Sequence, residues 1–286
     1  MTPTPFRTRF APSVTGYLHL GHVVNALWVW GWADRHGGEV LIRLEDHDQG
    51  RYRPEYERAI LDDLEWLGLR DRAIGVERQS DHWERYEAAA ASLAARGLTY
   101  YCDCTRRQVA EAVEAGEGET LRYPGTCRDK GLGEGPGRAL RLRLTAGVER
   151  FEDLRLGMQE QDPQAQAGDV ALRDGRGQWL YQMCVTVDDL TDGITHVIRG
   201  EDLLESTGRQ IHLGRLLGRA TPAAFLHHPL VRDASGRKLS KKDFAKSLGD
   251  LRREGWSPER VLGEAARLGG LGPGPRGAAD LRSLFG

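Results

Sequence analysis

Lysine is the scarcest of the common charged residues in this chain. Only five of its 40 basic residues are lysine (Lys130, Lys238, Lys241, Lys242 and Lys246), and four of these fall between positions 238 and 246. Cysteine is also rare, with 4 in 286 residues, which excludes a disulfide framework and makes a cytoplasmic setting the default expectation. No run of about 18 apolar residues exists, so no membrane span is expected. The first residues, MTPTPFRTRFAPS, lack the apolar stretch of a secretory signal. Nor is there an excess of either charge: 40 basic residues against 42 acidic ones give a formal net charge of -2. That balance excludes a globally basic nucleic-acid footprint and leaves room only for a local basic face. Internal repeats and low-complexity tracts are absent.

What is present is an ordinary globular composition, 40% hydrophobic and 29% charged. The length suits one large domain or two of roughly 150 residues. Residues 6–11 read as a strand, broken by Pro12 and Gly16. A helix follows from about Gly21 to Arg35 and stops at Gly37-Gly38. The nearly continuous apolar run at 39–45 suggests a strand buried on both faces. Pro54 opens a helix whose Ile60, Leu61, Leu64 and Leu67 fall at helical spacing, and 81–96 reads as another helix. This alternation predicts a parallel α/β sheet. From Leu98 the texture changes to a strand at 98–103, a helix at 105–115, and alternating segments at 138–144 and 148–154, which suggest antiparallel structure. A strand at 194–198 and a helix from about Leu203 to Leu217 restore the parallel pattern. We therefore read 1–98 and 185–230 as the α/β domain, 99–184 as an insertion and 231–286 as a loop followed by a short helical region. In that region the segment from Trp256 reads as a single helix capped by Ser257. Trp28, Trp30 and Trp32 cannot share one helix face, so they read as core packing, and Cys184 likewise reads as core.

Two motifs point to phosphate chemistry. His19-Leu20-Gly21-His22 stands between a strand and a helix, where backbone N–H groups and a partial positive charge suit phosphate. Gly21 lets a flat base or phosphate approach the backbone, and the two histidines can donate to a phosphate that gains charge in a transition state. Lys238-Leu239-Ser240-Lys241-Lys242 follows a turn-like DASG. Lysine there is a compact charge on a flexible stem, suited to polyphosphate. Each motif alone reads equally well as surface residues; together, in this order, they are far more specific.

The pair resembles the HIGH and KMSKS signatures of class I aminoacyl-tRNA synthetases. Arg9-Phe10-Ala11-Pro12-Ser13, the segment from Arg43 to Arg51 (RLEDHDQGR) and the stretch from Tyr181 to Gln210 are similar to the glutamyl-tRNA synthetase subgroup. The likeness covers residues 7 to about 247. It implies a Rossmann-like parallel sheet. It also implies that Arg9, Phe10, Ala11, Pro12, Ser13, Glu45, Tyr181 and Arg199 bind glutamate. ATP falls to His19, Gly21, His22, Lys238, Ser240 and Lys241, with His19, His22 and Lys241 as the catalytic groups and Mg²⁺ accompanying ATP. Two arginines and one acid also match glutamate's two carboxylates and one ammonium.

Cys102, Cys104 and Cys127 lie within 26 positions, a spacing that suggests zinc, which takes four ligands. No histidine occurs between 83 and 195, so Asp103, Tyr123 and water are the candidates for the fourth. The pattern resembles the zinc site of a truncated synthetase relative in which the tyrosine is a ligand, which favours Tyr123 and a structural role. Only about forty residues follow the KLSKK segment, too few to read an anticodon. A truncated core of this kind resembles the glutamyl-queuosine tRNA(Asp) synthetase family, which attaches glutamate to the queuosine base of tRNA(Asp). The expected partners are thus ATP, L-glutamate and queuosine-containing tRNA(Asp), with no membrane and a monomeric chain. The alternatives are a truncated glutamyl-tRNA synthetase charging the 3′ end of tRNA(Glu), another HxGH nucleotidyltransferase, and a zinc module that only binds RNA.

Overall fold

The computed structural model describes residues 5–112, 122–231, 246–272, 274–275 and 277–285. The KLSKK segment lies outside them. Parallel pairing starts with β1 (Arg7–Phe10), β2 (Glu39–Leu44) and β3 (Gly75–Arg78), with β2 in the middle. Between β1 and β2 runs α1 (Leu20–His36), ended by Gly37 in the left-handed conformation at φ 62. The connection from β2 to β3 carries α2 (Pro54–Trp66), which has proline in its first turn. After β3 comes α3 (Trp83–Ala95).

Next are β4 (Thr99–Cys102), α4 (Arg106–Ala112), β5 (Ala139–Leu142), β6 (Glu149–Asp153), β7 (Gly157–Gln161), α5 (Pro163–Ala167) and β8 (Ala171–Arg173). β4, β5 and β8 form a separate antiparallel sheet with β5 in the middle. The chain then returns through α6 (Tyr181–Thr191), β9 (His196–Gly200), α7 (Thr207–Leu216) and β10 (Ala224–His228). β9 and β10 pair in parallel over five residues, from His196 opposite Ala224 to Gly200 opposite His228. β9 lies beside β1, where the Thr195 N–H donates to the Arg7 carbonyl at 2.9 Å. The carboxyl ends of β1, β2, β9 and β10 therefore open on one side, where doubly wound sheets place their ligands.

Two expectations change at this level. The 148–154 segment was assigned to the insertion, but β6 lies parallel to β10, with Asp153 opposite Phe225, and carries β7 antiparallel on its outer side. The boundary expected at 184 runs through α6, because Tyr181 to Thr191 is one helix. Its apolar run, YQMCVTV, hid the helical period because both faces are covered. The segment from Trp256 forms the expected single helix, α9 (Pro258–Leu268), capped by Ser257, and before it lies α8 (Leu248–Arg253), whose Ser247 and Asp250 cap each other.

The main core surrounds α1. Val23, Val24, Leu27 and Trp30 meet Ile42 and Leu44 of the sheet, Ile60 and Leu64 of α2, and Leu262 and Leu281 of the C-terminal segment. α1 is apolar almost all round because it lies between the sheet and that segment, which is the burial its composition requires. Gly31 has no side chain where the Phe285 ring sits; a Cβ there would run into the ring. Trp28 and Trp32 also stack edge-on against Phe285, in accord with the core reading of the tryptophans. A second core joins α3, α6 and the antiparallel sheet through Tyr86, Leu140, Leu172, Trp179, Met183 and Cys184. Among the described residues no helix is long and apolar enough to cross a membrane.

One acid is buried at the edge of this frame. Asp63 of α2 is 6% exposed, and burial pushes its carboxyl up to about 7; Arg252 opposes the shift and Asp62 adds to it. A folded-state value above the unfolded one of about 3.9 means stability present at low pH and lost as pH rises toward 7. Melting temperatures of the native chain and of Asp63→Asn, compared from pH 4 to 8, should therefore diverge. The variant should gain relative to the native chain as pH rises, and the difference should level off above pH 7.

Candidate active site and metal centre

The parallel register of β1 and β2 continues past both strands. The Glu45 N–H donates to the Pro12 carbonyl at 2.9 Å, and the Val14 N–H donates to the Glu45 carbonyl at 3.1 Å. This stitching holds Ala11, Pro12 and Ser13 beside Glu45. Phe10 turns into the core against Trp30, and Ser13 is exposed with its hydroxyl 3.1 Å from that of Thr15.

Beneath this turn lies a network of buried charges that α6 completes. Arg9 Nε donates to Asp189 at 2.9 Å, and Arg43 donates to the same oxygen at 2.8 Å and to Asp192 at 2.9 Å. Burial alone would lower the Arg43 pKa, but Asp189, Asp188 and Asp192 outweigh it and raise it. Asp189 is likewise held below the usual carboxylate range by Arg9 and Arg43 against the opposing effect of burial. Asp188 accepts from the Tyr86 hydroxyl and from Gln79 Nε2, while Gln79 Oε1 faces His47 Nδ1 at 2.7 Å. With the amide nitrogen committed to a carboxylate, its oxygen accepts, so His47 carries its proton on Nδ1. Asp46 receives the Ser80 N–H at 2.8 Å and so holds the turn rather than facing a ligand.

Arg199 is different. It is 4% exposed, yet among the described residues its guanidinium is hydrogen-bonded to neutral groups, including His227 Nε2 at 3.0 Å, Gln210 Oε1 at 2.6 Å and the Thr207 hydroxyl at 2.9 Å. Burial lowers its pKa. Glu45 is 7% exposed, and no hydrogen bond or ion pair from a described residue reaches its carboxylate. Burial raises its pKa, partly offset by His47, Arg43 and Arg9. Both charges lie in the field of Tyr181, whose own pKa is raised by burial. A buried cation and a buried anion, neither with an ion pair to a described residue, lie about one half-buried phenol. Such charges are costly unless paired, so the arrangement suits a small zwitterion that brings an anion to Arg199 and an ammonium to Glu45. The sequence had offered two free arginines for this task; Asp189 already neutralises Arg9.

His19 and His22 sit together at the start of α1, their ring centroids 3.9 Å apart. His19 Nδ1 accepts the Gly21 N–H and His22 Nδ1 accepts the His19 N–H, both at 3.1 Å. In the neutral rings these bonds place the protons on Nε2, the donor form. The His22 N–H is already bonded to the His19 carbonyl at 2.9 Å. The backbone donors that the sequence suggested for phosphate are thus partly used by the turn itself. Lys238, Ser240 and Lys241 lie outside the described residues.

The cysteines form a second centre. The thiol sulfurs of Cys102, Cys104 and Cys127 all lie within 4.8 Å of one another. The buried Tyr123 hydroxyl is 3.3 Å from Cys102 Sγ and 3.9 Å from Cys104 Sγ, and it accepts the Cys127 N–H at 2.9 Å. The Arg141 guanidinium lies 3.6 Å above the Tyr123 ring. Asp103 also approaches, 3.0 Å from Cys127 Sγ, but it is exposed and paired with Lys130. Three thiols and a phenol at such spacings are a donor set that fits a tetrahedral zinc ion.

Residues 5–276 match the family model "tRNA synthetases class I (E and Q), catalytic domain". Fold and site together thus define a class I aminoacyl-tRNA synthetase catalytic domain. A glutamyl-Q tRNA(Asp) synthetase of Ralstonia nicotianae is 46% identical over 292 residues, covering 98% of this chain and 89% of that protein. Another, of Rhodobacter capsulatus, is 42% identical and covers 89% of this chain and 97% of that protein. The chain belongs to the glutamyl-Q tRNA(Asp) synthetase family. Among solved structures, a glutamate tRNA ligase of Elizabethkingia meningosepticum in complex with its amino acid superposes with a TM-score of 0.77 at 27% identity. That match covers 91% of this chain and 60% of the ligase. The glutamate-tRNA synthetase of Elizabethkingia anophelis gives 0.80 at 25% identity, covering 99% of this chain and 66% of that protein.

Asp189, Asp192, Gln210 and His227 were not singled out from the sequence. Asp188, Asp189 and Asp192 were visible as VDDLTD, but their partners are over 100 residues away. If Asp189 neutralises both Arg9 and Arg43, Asp189→Asn should cost about 3–5 kcal/mol, the range for breaking a buried ion pair. Urea denaturation measures it; a loss under about 1 kcal/mol would contradict the assignment.

Proposed function

We propose that the chain activates L-glutamate with ATP, without requiring tRNA for that step, and then transfers the glutamyl group to the queuosine base of tRNA(Asp). The observation that carries the amino-acid half is the pair of buried charges beside Tyr181, Arg199 and Glu45, neither with an ion pair to a described residue. In this reading the glutamate side-chain carboxylate meets Arg199 and its ammonium meets Glu45, with Tyr181, Arg9 and the 10–13 turn closing the pocket. The acceptor follows from the relatives named above, at 42–46% identity.

Activation is attack of the glutamate α-carboxylate on the α-phosphate of ATP, giving glutamyl-adenylate and pyrophosphate. His19 and His22, as Nε2–H donors, stabilise the phosphate as its charge grows. Gly21 leaves room for the nucleotide against the start of α1. Lys238, Ser240 and Lys241 hold the pyrophosphate side, with Lys241 balancing the leaving charge, and Mg²⁺ bound with ATP adds to that neutralisation. No covalent enzyme intermediate is needed, because positioning and charge stabilisation suffice. A hydroxyl of the queuosine cyclopentenediol then attacks the activated carbonyl, releasing AMP. A cavity of about 390 Å³ adjoins Tyr181 and is lined by His47, Arg51, Arg141, Trp179 and Arg209 among others. Its lining mixes arginines with Asp48, Asp169 and Asp174 and includes Arg141 and Ala171 of the antiparallel sheet, so we assign that sheet to the acceptor.

Labelled glutamate added to queuosine-containing tRNA(Asp), queuosine-free tRNA(Asp) and tRNA(Glu) should mark only the first. Label on tRNA(Glu) alone would support the truncated glutamyl-tRNA synthetase instead, and glutamate-dependent ATP–pyrophosphate exchange excludes a module that merely binds RNA.

For the second centre we propose zinc held by Cys102, Cys104, Cys127 and Tyr123, serving as a structural cross-link. Elemental analysis should find one zinc per chain. Cys127→Ser should lose the metal and melt at a lower temperature, and Tyr123→Phe should give it up to a chelator faster. Native protein without zinc, or unchanged release from Tyr123→Phe, would count against this ligand set.

A further inference from the structure

Arg199 can receive a substrate carboxylate only if its guanidinium is held in one orientation, and long arginine side chains lose considerable freedom when fixed. The group that meets its Nε is His227, on β10, with no measurable exposure. An arginine nitrogen never accepts a hydrogen bond. The 3.0 Å contact therefore requires the bare lone pair of His227 Nε2, and the imidazole proton must reside on Nδ1. Asp153 meets that nitrogen: its Oδ2 lies 2.7 Å from His227 Nδ1 and also accepts the His227 backbone N–H at 3.1 Å. Its Oδ1 accepts the N–H groups of Arg155 at 3.0 Å and Leu156 at 2.9 Å. Burial would raise the Asp153 carboxyl, but His227 and these two backbone donors outweigh it and keep it below the usual range. The carboxylate is thus ionised, fully occupied and unable to turn.

We infer that Asp153 and His227 are positioning residues for glutamate recognition: the carboxylate fixes the imidazole tautomer, and the imidazole fixes the Arg199 fork. Three further contacts support the same orientation. The Thr207 hydroxyl lies 3.2 Å from His227 Nε2 and 2.9 Å from Arg199, Gln210 holds Nη1, and the Phe225 ring lies 5.5 Å below the guanidinium. Every one of these partners is neutral toward Arg199, so orientation is supplied without cancelling the charge that the substrate carboxylate needs. A carboxylate in the place of His227 would hold the arginine equally well and compete with the substrate. This relay crosses from β6 through β10 to β9, and it exists because the hairpin of β6 and β7 joins the parallel sheet. The inference rests on the reading of Arg199 as the glutamate side-chain receptor.

Four variants, two binding and kinetic readouts and one spectroscopic measurement test the relay. The readouts are glutamate affinity by calorimetry and the KM values for glutamate and ATP in pyrophosphate exchange. His227→Asn keeps a group near Nδ1 for Asp153 but places no acceptor at Arg199, and glutamate KM should rise at least tenfold while ATP KM stays within twofold. His227→Gln puts an amide oxygen near the former Nε2 and should recover part of the loss. Asp153→Asn, close to isosteric, releases the tautomer and should shift glutamate KM in the same direction as His227→Asn. Nitrogen-15 spectra of the native imidazole should show a protonated Nδ1 and a bare Nε2; the opposite tautomer would overturn the inference. So would equal rises in glutamate and ATP KM, or glutamate affinity in His227→Asn within twofold of native. The control is Arg199→Gln: if it leaves glutamate affinity unchanged, the glutamate reading itself fails, whereas a large loss there with none in His227→Asn removes only the relay.

Discussion

The structure depends on one buried interaction, the pairing of Arg9 and Arg43 with the carboxylates of α6. Asp189 alone answers both arginines, at 2.9 and 2.8 Å, and Asp192 takes the second nitrogen of Arg43. These contacts tie the first two strands to a helix some 150–180 residues later in the chain. Breaking these pairs would leave buried charges without their partners, so parting β1, β2 and α6 is strongly disfavoured. The arrangement also sorts the arginines by task. Arg9 and Arg43 are neutralised and become part of the frame, and Arg199 is left as a cation with neutral supports only.

That sorting gives the site its chemistry. Specificity for an amino acid with a second carboxylate needs a place where an anion is worth more than a neutral isostere, because sites with unpaired polar groups reject analogues that leave them unpaired. Arg199 and Glu45 supply two such places of opposite sign beside one tyrosine. Evolution could have paired them with each other or with nearby residues, which would stabilise the empty protein and weaken binding. The relay through His227 and Asp153 keeps Arg199 rigid without that cost. The histidines at the head of α1 follow a similar rule on a smaller scale: each spends its Nδ1 on a bond that caps the helix, which leaves the proton of the neutral ring on Nε2.

Much of this was legible in the amino-acid order. The strand–turn–helix setting of His19 to His22, the RLED turn after β2 and the cysteine spacing were all local, and local patterns depend on backbone periodicity and turn chemistry. Tyr123 was named as a donor and lies against the three thiols. Other parts were not legible. α6 was passed over because a helix covered on both faces shows no polar stripe. β6 was placed in the insertion because its alternating pattern fits an antiparallel hairpin, which it does form with β7, while its other edge pairs with β10. His227 was not singled out, since its partner Asp153 lies 74 residues earlier.

The sequence by itself determined the family, the motif at the first turn and the residues able to hold a metal, because each is written in short motifs whose residue types and order can be read without knowing their partners in space. The tertiary structure decided which arginine stays uncompensated, which nitrogen of His227 is protonated and which sheet β6 joins. Those outcomes depend on burial and on partners brought together over 70 to 190 positions, and a charge has no fixed meaning until its solvent and its counter-charge are known.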